Sequence, residues 1–153
     1  VAYNSLEESI GLSFQENMER CQMGDVDGRF LILDRESMED LNIRLKKQRS
    51  PDFIIIDSLQ YTGLNYNDYK RLKEAHPKKL FIFISHADGD KPYGSTATKV
   101  QYDADMKILV QGYRDICKGR FIPEAGKHYS IWAEAEVKYW GLETETNNEP
   151  TNN

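Results

Sequence analysis

The chain has 153 residues, 39% hydrophobic and 29% charged, with a formal net charge of -5. This profile fits about one globular domain with a core of its own and excludes a disordered chain. No apolar run approaches the roughly 20 residues of a membrane-spanning helix, and the acidic balance restricts any nucleic-acid contact to a local patch.

The opening "VAYNSLEES" predicts a short strand whose end carries Glu7 and Glu8, with no basic-then-apolar secretory leader. Ser5 and Glu8 have the spacing of a capping box, and a helix is expected over Ile10 to Cys21, ended by Gly24 and Gly28. Next comes "RFLILD", a strand ending at Asp34. In "ESMEDLNIRLKKQR", Met38, Leu41 and Leu45 recur at helical spacing, with acids early and bases late as the helix dipole favours. Pro51 closes this unit. "FIIID" follows as a strand, Tyr66 to Ala75 as a helix, and "KKLFIFISH" as a strand ending at His86.

Apolar strands alternating with helices predict an α/β fold with a parallel sheet covered on both faces. Functional groups of such folds collect at the carboxyl ends of the strands, where Glu7, Asp57 and His86 fall. Beyond His86, "ADGDKPYGSTATKVQYDAD" reads as a long functional loop. "MKILVQG", "YRDICKGRF" and "HYSIWAEAEVKYW" then read as antiparallel strands added to the sheet edge, and residues 142–153 as a disordered polar tail. Cys21 and Cys117 lack CxxC spacing, which predicts reduced thiols in the cytoplasm.

Several side chains have the chemistry of a phosphate site. Asp57, at the end of an apolar strand, suits a Mg²⁺ ion that keeps waters and phosphates as its other ligands, although a cap or turn accounts for it too. Glu7 or Glu8 suits a general base for an attacking water, against the simpler role of helix-start charge. His86 suits either a γ-phosphate sensor or a structural contact. Lys118 and Arg120, two apart on a strand, share one face and either reach a phosphate across a subunit boundary or solvate an edge. Lys91, Tyr93, Gly94, Ser95 and Lys99 offer cations, a ring and flexible backbone, as a loop for single-stranded DNA would. Asp88 and Asp90 oppose phosphate contact, and allow a DxD metal centre or a plain Asp-Gly turn.

Taken in order, these elements resemble the RecA-like ATPase core, in the branch of DnaB-type replicative helicases and RadA-type proteins. "SLEES" resembles the element after the family's phosphate-loop helix. "FIIIDSLQ" resembles its Walker B strand with trailing DxLQ, and "FIFISH" its sensor strand, where His86 replaces the usual Gln. "YGSTATKVQYDADMKILVQG" resembles the DNA-binding loop and following strand. "CKGRF" resembles "KNRFG", with Gly119 in place of Asn and Ile122 in place of Gly. The resemblance spans about residues 1 to 140; residues 1–141 are then the core of an ATP- and Mg²⁺-using, DNA-acting motor that assembles as a ring or filament. It implies Glu7 as catalytic glutamate with Glu8 beside it, and Asp57 and Ser58 on the nucleotide and metal. It also implies His86 as sensor, Lys118 and Arg120 acting on a neighbouring subunit's nucleotide, and the Lys91 to Lys99 stretch on single-stranded DNA.

These residues hold no G-x-x-x-x-G-K-[ST], the loop that cradles phosphates. The family places it just ahead of the strand that begins here at Val1, so the expectation is of a preceding segment or a degenerate module. The chain alone is then expected neither to bind ATP tightly nor to hydrolyse it, and to expose apolar sheet surface. A noncatalytic, partner-binding RecA-like module and a DxD nucleic-acid enzyme are the alternatives.

Overall fold

The apolar runs ahead of His86 pair side by side. In the computed structural model, which describes residues 1–122 and 127–141, they are β1 (Ala2–Ser5), β2 (Leu31–Asp34), β3 (Phe53–Asp57) and β4 (Leu80–Phe83). Their order is β2-β1-β3-β4 and every pairing is parallel. The described residues divide into two compact units, Val1–Tyr102 and Asp103 onward; residues 142–153, expected as a tail, lie outside the description.

Helices α1 (Leu12–Arg20), α2 (Met38–Leu45) and α3 (Tyr66–Ala75) make the connections. The Ser37 hydroxyl starts α2 by accepting the Asp40 N–H at 3.1 Å, and Asn65 with Asp68 forms a full capping box on α3. One face of the sheet carries Ala2, Leu33, Ile54 and Ile56, which pack with Leu41 and Leu45 of α2 and with Phe81 and Phe83. Leu59 and Tyr69 continue the burial beside Phe83. Fully enclosing a side chain such as Ile54 or Ile56, both 0% exposed, contributes about 1.5–3 kcal/mol.

The opposite face departs from the expectation of cover on both sides. Phe53, Leu80, Ile82 and Ile84 remain exposed there, so the near-continuous apolar runs reflect burial of alternate residues only. On that side α1 brings Phe14 to 6.0 Å from the Tyr3 ring but buries none of its own residues. The expected capping box at Ser5 is also corrected. Ser5 Oγ donates to the Glu8 carbonyl at 2.7 Å, and the helix begins later, after Gly11.

The expected loop after His86 is largely ordered. It forms a hairpin of β5 (Ala87–Asp88) and β6 (Lys91–Pro92), then α4 (Ser95–Asp103). Gly89, at φ +62, supplies the positive φ that a two-residue hairpin turn requires, so "DGD" is the Asp-Gly turn. The polar composition hid α4, whose Ala97 and Val100 lie three apart and are buried with Leu59 and Tyr69.

In the second unit, β7 (Met106–Gln111), β8 (Arg114–Gly119) and β9 (His128–Ser130) form an antiparallel sheet of their own. This corrects the expected extension of the parallel sheet. "HYSIWAEAEVKYW" is not one strand either. It leaves the sheet after Ser130 and becomes α5 (Ala133–Trp140), because Ala and Glu favour helix and Gly141 at φ +64 caps it. Gly112 and Tyr113, at φ +55 and +63, make the tight turn between β7 and β8. A Cβ on Gly112 would come within 2.5 Å of the Tyr139 ring, so this turn requires glycine for space as well as conformation.

Candidate functional site

Parallel register sets the strand ends level, with Asp34, Ser5 and Asp57 side by side across β2, β1 and β3. The chain then turns out of β1, and the N–H groups of Leu6 and Glu7 donate to the Asp57 carbonyl at 2.6 and 3.2 Å. This brings Glu7 to the end of β4, where its Oε2 lies 2.8 Å from His86 Nε2. Three side chains named from the sequence, Glu7, Asp57 and His86, thus gather on one carboxyl edge of one sheet.

The electrostatics follow from these neighbours. His86 holds the Glu7 carboxyl below its ordinary range, with a further contribution from the Ser58 hydroxyl, which lies close without reaching hydrogen-bond geometry. The Tyr3 phenol donates to Asp57 Oδ2. Burial first, and then the Asp57 carboxylate, push the Tyr3 phenol well above its ordinary value, so Tyr3 stays a donor. Ser58 is fully buried, and its hydroxyl is the buried side-chain polar atom left without a partner among the described residues. A buried orphan hydroxyl beside a carboxylate is a group that an incoming ligand can satisfy.

Tyr3 and Ser58's isolation are what the sequence pattern left unmarked; Gln60, the last residue of the "DSLQ" run, was marked there without its partners. The Gln60 amide oxygen accepts from the His86 N–H at 3.1 Å, and its nitrogen donates to Ser85 Oγ and to the Tyr93 carbonyl, both at 2.8 Å. The Tyr93 N–H in turn donates to the His86 carbonyl at 2.8 Å. The hairpin is therefore fastened directly to the strand end that carries His86. Lys91, Tyr93, Gly94, Ser95 and Lys99, on that hairpin and the first turns of α4, are all exposed. The Glu8 side chain is exposed and has no hydrogen-bond partner among the described residues, which leaves Glu7 as the glutamate held at the strand edge.

Lys118 and Arg120 belong to the second unit and do not share a strand face. Arg120 lies beyond the last residue of β8, after Gly119 at φ +148, and its guanidinium is 3.4 Å from Asp105 Oδ1. Lys118 stands opposite Lys107 in the β7–β8 register, which places two cations side by side.

Among the described residues, no group of three or more His, Cys, Asp or Glu side chains could hold a metal ion. Asp57, with one oxygen engaged by Tyr3, suits Mg²⁺ only where phosphates and water complete the coordination. No described helix is long and apolar enough to cross a membrane.

No protein-family model and no curated protein matches this chain.

Proposed function

We propose that Val1–Tyr102 carries the carboxylate half of a RecA-like ATPase site, in a helicase- or recombination-type motor acting on single-stranded DNA. The observation that carries the reading is the meeting of Glu7, Asp57 and His86 at one sheet edge, with Glu7 and His86 in contact at 2.8 Å. Glu7, held ionised, is the base that orients water toward a γ-phosphate. Asp57, oriented by Tyr3, would hold Mg²⁺ through an oxygen, and Ser58 offers the hydroxyl next to it. The ion itself supplies charge neutralisation to the phosphates when bound. His86 reports the occupancy of that edge to the exposed Lys91–Lys99 segment, which meets DNA.

A phosphate-binding loop, in cis or from a partner, must complete this site, since these residues hold none. The exposed apolar edge strand β4 supports assembly with a further strand or subunit, as a ring or filament requires. Lys118 and Arg120 then serve a neighbouring subunit's nucleotide, Arg120 by leaving Asp105. Two free cysteines agree with a cytoplasmic protein.

The test is ATP turnover by the chain supplied with a Walker A segment. Glu7→Gln is expected to lower turnover about 10²–10⁴-fold, as loss of a general base does. Asp57→Asn is expected to raise the Mg²⁺ requirement. Turnover that persists unchanged in both variants overturns the reading.

A further inference from the structure

The second unit contains a cavity of about 500 Å³ lined by Tyr113, Trp132, Glu134, Ala135, Lys138 and Tyr139. The Tyr113 ring stands edge-on to Trp132 at 5.6 Å and to Tyr139 at 6.3 Å, near perpendicular to both. Trp132 and Tyr139 nevertheless remain 57% and 56% exposed. Single exposed rings are ordinary on a protein surface, but these converge on one hollow of a size that small ligands occupy. Holding Tyr113 there takes a positive φ, which a bulky residue adopts only when its surroundings enforce it.

The rim charges select among guests for such a hollow. Lys138 and Glu134 together leave the rim without net charge, so a simple cation gains less here than in an anionic aromatic cage. An unpaired nucleobase matches all three components: a flat π face for the indole and phenol, a phosphate for Lys138, and an exocyclic or ring N–H for Glu134. Among the described residues, no ion pair engages Lys138 or Glu134, so both are available. We propose that this aromatic hollow binds an unpaired nucleobase together with its phosphate. The proposal rests on residues of this hollow and does not depend on the sheet-edge reading.

The test uses the protein's own fluorescence, because its two tryptophans, Trp132 and Trp140, both lie in this unit. The chain is titrated at low salt with an oligothymidylate of about 15 nucleotides and, in parallel, with thymidine monophosphate. Saturable quenching by the oligonucleotide is expected. Quenching by the monophosphate as well identifies the isolated nucleotide as sufficient, and quenching by the strand alone identifies single-stranded nucleic acid as the source. Trp132→Ala is expected to weaken binding of a labelled strand roughly ten-fold, the loss of one stacking ring. Lys138→Ala, an exposed change on α5 that preserves the fold, is expected to weaken binding and flatten its salt dependence by about one phosphate contact. Glu7→Gln and Asp57→Asn leave this binding unchanged, which separates it from the ATPase reading. Absence of saturable quenching by either probe, equal affinity for duplex of the same length, or quenching by tetramethylammonium alone overturns the proposal.

Discussion

The two units are held together by different physics. In Val1–Tyr102, buried aliphatic residues from β1, β2, β3 and α2 form a continuous apolar core. From Asp103 onward, the buried residues among those described are Cys117 and Glu136. In place of a core there is an ion pair, Arg114 Nε to Glu136 Oε1 at 2.5 Å, with side chains 17% and 9% exposed, and a set of ring edges around it. The Arg114 guanidinium also lies 4.8 Å over the Trp140 ring, whose N–H donates to the Gly112 carbonyl. The aliphatic core itself carries no titrating group, whereas the Arg114–Glu136 pair at the centre of the second unit answers to protons.

The largest expected effect falls on the aliphatic side of this contrast. Ile54→Ala should destabilise Val1–Tyr102 by about 3 kcal/mol, since the side chain is fully enclosed and the cavity cannot collapse freely. A urea titration followed by circular dichroism measures it, and a loss below about 1 kcal/mol would show that the core is not what holds this unit.

An intermediate effect is expected from acid. The Ser130 hydroxyl, and then Arg114, hold the Glu136 carboxyl below its ordinary 4.5, with His128 adding attraction when protonated. A carboxyl that binds its proton less tightly when folded contributes stability that is complete above 4.5 and is lost as pH falls below it toward the folded value. The tryptophan emission of the second unit should therefore shift on acidification below pH 4.5. Glu136→Gln should remove that acid response; retention of the same midpoint in the variant would assign the transition to another group.

The smallest effect sharpens the comparison from the other direction. Ile108→Ala removes an aliphatic side chain of β7 that is 55% exposed, and should cost under about 0.5 kcal/mol in the same urea titration. Equal costs for Ile54 and Ile108 would erase the distinction between the units.

Much of the parallel sheet was legible because its signals are local. The three-to-four spacing of Met38, Leu41 and Leu45 and the apolar runs ending in Asp57 and His86 each act within a few residues, whereas the caps at Ser37 and Asn65 emerge only in the structure. Glu7, Asp57 and His86 could be placed on one edge for the same reason, since parallel strands align their carboxyl ends. What the sequence did not disclose depends on distant neighbours. α4 is polar along most of its length and is identified only by Leu59 and Tyr69 across from Ala97 and Val100. The exposed apolar surface on β3 and β4 agrees with the expectation of uncovered sheet, whereas the expectation of cover on both faces failed because cover depends on what packs above the runs. α5 was misread as strand because Tyr, Ile and Trp around its start favour extended chain, while its fixing contact, Arg114 to Glu136, spans 22 positions. Tyr3 carried no mark at all, since a tyrosine in a strand gives no sign of the carboxylate it will meet.

Gln60 has a mechanical consequence. Its oxygen is committed to the backbone of His86, and its nitrogen to Ser85 and to the backbone of Tyr93. A hydrogen bond tolerates only a few tenths of an ångström before it weakens steeply. The tip of β4 and the hairpin therefore travel as one lever: a displacement at His86 either carries Tyr93 with it or snaps this amide fork.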